Sequence, residues 1–292
     1  MKETSIWVNS NPRVCSQMEE FFASKKIPIT PGMHDHANFL KEENKNPRLL
    51  DSLARYIEVR SYTDEYLADA RQKIQIVVDA VYQAVKNDGR LGACVDASGM
   101  IGRMLDALCI WNYVAKVSLT IDYPEASDKK STQFWSIDQR NFDAPHVVVV
   151  APPFSVIDVT VKLQPYSNNE SAYLPNFVLA DETKPARWNV NDLVSPIVQE
   201  IAKGEGESPI SFIKASMHEV MDWLPPRSVE FSGTTMKYIP VALGGFIEKL
   251  SEINGYCPGG RTAQQIFDQD VIPKLVALRI EQEQENYPGP SS

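Results

Sequence analysis

His146-Val-Val-Val-Val150-Ala-Pro-Pro-Phe-Ser155-Val-Ile-Asp158-Val-Thr160-Val-Lys-Leu163 is the stretch that decides the fold. Four consecutive valines, each stiff at χ1, suit the pleated surface of a central strand. Ala151-Pro-Pro-Phe-Ser155 reads as a tight turn, because proline fixes φ and offers no N–H to a ladder. Beyond the turn, Ile157, Val159, Val161 and Leu163 fall on one face while Asp158 and Thr160 fall on the other. Two strands around a short turn make an antiparallel hairpin. Upstream, the period of two recurs: Ala115, Val117, Leu119 and Ile121 alternate with Lys116, Ser118, Thr120 and Asp122, which predicts a half-buried strand. A polar loop over 123–143 joins it to the hairpin.

Helical spacing precedes the strands. Leu67, Ala70, Ile74, Val77, Val78, Val81 and Val85 form an amphipathic stripe of about five turns, stopped by Asn87-Asp88-Gly89. Ala97, Ile101, Met104, Leu105 and Leu108 mark a second buried helix with Cys94 at its first turn, and Cys109 just past the stripe reads as inert core. Shorter helices are expected at 15–24 and 49–57, with a loop at 28–47 between them. Downstream, 192–203, 210–223, 241–253 and 262–283 look helical, the last with Pro273 as a kink or boundary, and Phe177 to Leu179 is one further short strand. Helices, a strand-rich middle and helices again point to an α+β fold rather than repeated βαβ units. Residues 1–203 are expected to hold a helical N-terminal part and a core at about 65–165; 204–283 form a helical C-terminal part packed on the core or separate from it, and 284–292 a disordered tail.

Composition narrows the function. The chain has 292 residues, 43% of them hydrophobic, with 29 Lys+Arg against 38 Asp+Glu and a net charge of −9. That balance suits a folded chain and disfavours non-specific nucleic-acid binding, and no run approaches the roughly 20 apolar residues of a membrane span. Four scattered cysteines, without a C-x-x-C pair, read as reduced thiols. The N-terminus lacks the apolar core of a secretory signal, so the expected location is cytoplasmic, or outside by a route needing no such signal.

Three residues carry the chemistry. A cysteine at a helix start meets free N–H groups and the positive end of the dipole, which favour thiolate. His146, opening a strand, is placed to act as base and then as acid. Asp158, the one acid in an apolar strand, is brought opposite the His region by the hairpin and would fix the imidazole. The oxyanion donor is assigned to the Cys94 backbone N–H or the Gln83 side chain, and Trp135 and Gln139, just before His146, are candidates to line a substrate cleft.

Gly92-Ala-Cys94 leading into a helix, His146-Val-Val-Val-Val150 and Val156-Ile-Asp158-Val-Thr160 resemble the transglutaminase-like, papain-superfamily cysteine enzymes. The resemblance spans roughly 77–163, and Val147 and Val148 stand where that family often carries an aromatic residue. It implies a papain-like α+β core, a nucleophile helix on an antiparallel sheet, without cofactor or metal. It further implies an acyl enzyme acting on a protein, peptide or carboxamide through a Cys94 thioester, ending in hydrolysis, deamidation or transamidation. A catalytically inactive scaffold that binds a protein partner through its C-terminal helices is the alternative. His34-Asp-His36 offers a competing metal-dependent hydrolase, although no third histidine follows nearby.

Overall fold

The computed structural model describes residues 7, 9–138, 146–216, 218–245, 248–253 and 256–286. Five helices come first: α1 (Pro12–Ser24), α2 (Ala37–Glu43), α3 (Leu49–Val59), α4 (Asp64–Asp88) and α5 (Cys94–Ala107). Strands β1 (Tyr113–Asp122), β2 (Thr132–Phe134), β3 (His146–Ala151), β4 (Phe154–Asp158), β5 (Val178–Ala180) and β6 (Lys184–Pro185) follow. Then come α6 (Val190–Leu193), α7 (Pro196–Gly204), α8 (Pro209–Ser216), α9 (His218–Trp223), β7 (Arg227–Phe231), β8 (Thr234–Gly244), α10 (Ala263–Ile266) and α11 (Ile272–Asn286). The architecture is α+β.

One antiparallel sheet runs β5-β4-β3-β1-β8-β7-β6, with β2 pairing the far end of β1. Both faces are covered. Val147, Val149 and Ala151 pack into a core with α4 and α5, whereas Val148 and Val150 join a second core with α1 to α3. A strand buried on both faces reads as a continuous apolar run, which is why four valines in a row fit β3.

Local chemistry explains the two long helices. Thr63 caps α4 by accepting the Tyr66 N–H at 3.2 Å, Asp64 and Glu65 lie at the positive end, and Gly89 closes the helix at φ 77°. In α5, Met100, Ile101, Met104 and Leu105 are fully buried, each contributing about 1.5–3 kcal/mol of apolar transfer.

Several expectations need correction. Residues 227–231 and 234–244 form β7 and β8 within the sheet, so the C-terminal part is not wholly helical; of the expected helix at 241–253, 241–244 end β8, 250–252 form a short 3-10 turn, and 246–247 lie outside the described residues. Pro240 interrupts the strand pattern because it cannot donate to a ladder. Its place is made by a register shift, in which Lys116 pairs Ala242 while Val117 pairs Pro240. The C-terminal part is also tied to the core by α11, which lies along α4 through Lys274 to Asp79 at 3.0 Å and Gln282 to Gln72 at 2.9 Å. The expected loop at 28–47 contains α2, and the loop after β1 contains β2. Strand β1 is buried on both faces: Ser118 bonds Ser136, and Thr120 Oγ1 donates to Asp192 at 2.8 Å. Of the expected tail at 284–292, residues 284–286 belong to α11, and 287–292 lie outside the described residues. Cys109 is exposed rather than in the core.

Candidate active site

The turn into α5 presents the nucleophile candidate. Gly92 takes the left-handed backbone, φ 74°, and its N–H donates to the Leu163 carbonyl at 2.9 Å, tying this turn to the segment after β4. Ala93, the N-cap, has no side-chain acceptor, so the first N–H groups of α5 receive no side-chain cap. Cys94 is the first helical residue and is 6% exposed, with Leu91 and Val95 half exposed beside it in the chain. One turn on, Ser98 Oγ donates to the Val147 carbonyl at 3.1 Å and fixes α5 on β3. Gly92→Ala is expected to lower stability by about 1–2 kcal/mol, the cost of left-handed backbone with a Cβ. The space around an added Cβ is open, so no clash adds to it. Thermal unfolding, with a fall in Tm of about 2–6 °C, is the check.

His146 and Asp158 meet at the end of the hairpin. Pairing of Val149 with Ile157 sets Asp158 opposite Val148, so Asp158 and His146 are diagonal neighbours on one face. His146 is fully buried and its Nε2–H donates to Asp158 Oδ2 at 2.6 Å. The second carboxylate oxygen accepts the Thr160 N–H at 2.9 Å and its hydroxyl at 3.2 Å. Tyr238 Oη donates to Oδ2 at 3.2 Å. The Phe134 ring lies 6.0 Å from the imidazole.

The imidazole's other nitrogen, Nδ1, is buried without an aligned hydrogen-bond partner. The Cys94 thiol is nevertheless close enough to act on the ring. Burial draws the His146 pKa down, but Asp158 and then Cys94 outweigh it and raise it to about 10. The raised pKa favours the imidazolium form at neutral pH, with Nε2 bonded to Asp158. Catalytic hydrogen bonds are often misaligned in a free enzyme and tighten on binding.

The other candidates fall elsewhere. Gln83, the expected side-chain oxyanion donor, is exposed on α4, away from the buried stripe of Val78, Val81 and Val85. Trp135 is half-buried, and its indole N–H is taken by the Asn191 carbonyl of α6 at 2.8 Å. Gln139 lies outside the described residues. His34 receives Arg103 Nη1 at 2.8 Å, and the same nitrogen meets Asp35 at 2.7 Å. A buried guanidinium thus stands where the competing reading needs a metal. His36 caps α2 by accepting the Asn38 N–H at 3.2 Å. Among the described residues no cluster of three or more His, Cys, Asp or Glu is arranged for a metal.

Sequence reasoning missed Tyr238, because β8 was not legible as a strand. Thr160 had a local signal, since a hydroxyl residue two places after an Asp is an Asx-turn pattern.

No family model, curated protein or solved structure matches the chain. Among the described residues no helix is long and apolar enough to cross a membrane.

Proposed function

We propose that this protein is a cysteine-dependent acyl-group enzyme of transglutaminase-like, papain-like type. The observation that carries the reading is a buried, Asp158-bound imidazole with its second nitrogen unbonded, and a cysteine at a helix start close enough to raise the pKa of the ring. Cys94 Sγ attacks as the thiolate, its proton held on His146, and bonds to the carbonyl carbon of a peptide or carboxamide. The backbone N–H of Cys94, at the uncapped start of α5, serves as the oxyanion donor. The C–N bond breaks as His146 Nδ1–H protonates the departing amine, leaving a thioester on Cys94. His146 then takes a proton from water, whose oxygen attacks the thioester, releasing the acid and restoring the thiolate–imidazolium pair. An amine in place of water gives transamidation. Hydrolysis or deamidation is the favoured outcome because it needs only water. Asp158 holds the ring and stabilises its cation.

Alkylation across pH tests this. Iodoacetamide is expected to modify Cys94 below neutral pH, with exposed Cys109 as the reference thiol. Burial and Glu19 push the Cys15 thiol up to about 11, so it lags. His146→Ala should move the Cys94 profile to alkaline pH. A Cys94 profile indistinguishable from that of Cys109 sinks the proposal.

The low exposure of Cys94 favours a second reading, an inactive scaffold that binds a protein partner. Ile197 and Ile201 on α7 and Ile210 on α8, each more than 40% exposed, would then offer the partner surface. Failure of Cys94 to react at any pH in the folded protein supports that reading over the first.

A further inference from the structure

Asp158 is more heavily bonded than a simple imidazole anchor requires. Four donors reach its two oxygens: His146 Nε2 and Tyr238 Oη on Oδ2, Thr160 N and Oγ1 on Oδ1. Tyr238 comes from β8, two strands away from β3 across β1, and is only 2% exposed. Burial first, and then Asp158, raise its pKa well above the phenol value, so the hydroxyl keeps its proton and acts only as donor.

A carboxylate in a dry site holds an imidazolium tightly. A general acid must still release its proton to the leaving group. We propose that Tyr238 is a positioning residue that shares the charge of Asp158 Oδ2 with His146, holding the carboxylate on the ring while weakening its grip on the imidazolium. The proposal rests on the thiol-enzyme reading for its catalytic meaning, but its physical content is independent of it. A donor on the carboxylate stabilises the bare anion, left when His146 deprotonates, more than the ion-paired one. Removing that donor therefore moves the His146 midpoint up.

The titratable groups bearing on the pair are Cys94 from α5, Asp158 from β4, Tyr238 from β8 and Tyr166 from the segment after β4. The Tyr166 hydroxyl is directed at the Val161 carbonyl, 2.5 Å away, and not at the carboxylate. Tyr238 is thus the phenol that bonds the dyad directly.

The test is 15N NMR of the histidine rings in the full chain, with His146 assigned by its loss in His146→Gln. Measurements in a Cys94→Ala background keep the result separate from thiol chemistry. Adding Tyr238→Phe is expected to raise the His146 midpoint by about half a unit to one unit, as fits part of one charge-assisted hydrogen bond. Adding Thr160→Val instead should raise it less, since the Thr160 N–H bond stays. Fluorotyrosine at 238, a stronger donor of nearly the same shape, should lower the midpoint, and this arm serves if Tyr238→Phe does not fold. An unchanged midpoint in the folded variants, or shifts of opposite sign, overturns the proposal. With Cys94 present, Tyr238→Phe should lower kcat about tenfold and leave KM nearly unchanged, as expected for a group acting on proton transfer. If Cys94 proves unreactive while the midpoint shifts as stated, the enzyme reading falls and the Tyr238 assignment stands.

Discussion

Cys94→Ala is expected to reduce acyl turnover by about four to six orders of magnitude, and His146→Ala by a similar factor. The two residues act as one unit. In the proposed scheme the Cys94 sulfur bonds to the acyl carbon, and His146 supplies and recovers the proton. The double variant should therefore lose little beyond either single one. Cys94 is 6% exposed and His146 fully buried, so both substitutions remove buried atoms. Unfolding curves must accompany the kinetics, to separate lost chemistry from lost protein. Release of ammonia or amine from carboxamide and peptide substrates is the assay. A Cys94→Ala protein that retains a tenth of wild-type turnover refutes covalent catalysis at this site.

Asp158→Ala should give the largest loss of stability, about 3–5 kcal/mol near neutral pH, because it strands a buried imidazolium. It also removes the acceptor for Tyr238 and Thr160, whose donors are then left dry. The loss has a pH signature. The folded-state pKa of His146 is raised to about 10, above its ordinary 6.5. A raised pKa means that the folded state binds the proton more tightly than the unfolded one. The stabilisation is fully present below about 6.5 and is lost as pH climbs through about 10. The gap between wild type and Asp158→Ala should therefore be widest at the acid end of that window and narrow toward its alkaline end. Urea unfolding at both ends measures it. A gap that stays constant across the window refutes the charged pair. Asp158→Asn keeps one acceptor without the charge, so it should cost less stability while lowering turnover by about three to four orders of magnitude.

Much of the framework was legible from local rules. The apolar stripe of α4, its Thr63 cap and Gly89 stop lie within one stretch of chain, and so do the two strands of the β3–β4 hairpin. His146 and Asp158 are 12 residues apart, and hairpin pairing alone brings them to one face. Strand β8 was illegible for the opposite reason. Pro240 reads as a strand breaker until β1 is seen to shift register opposite it. Nearness in sequence to Cys94 says nothing about helix phase, and the phase of α4 turns Gln83 to solvent. The polar face of β1 looked solvated from alternation, yet Asp192, 72 residues away from Thr120, covers and satisfies it.

The elements that open on Cys94 and His146, the hairpin that carries Asp158, and the acidic, scattered-thiol character of the chain are all readable along the chain. Those follow from periodicity, capping and turn chemistry, which act over a few neighbouring residues. The continuation of the sheet through β8, the reach of Tyr238 to Asp158 from 80 residues away, and the place of Arg103 beside His34 and Asp35 emerge only in the folded chain. Contacts of that kind depend on strand order and register, and many strand orders bury the same apolar faces equally well.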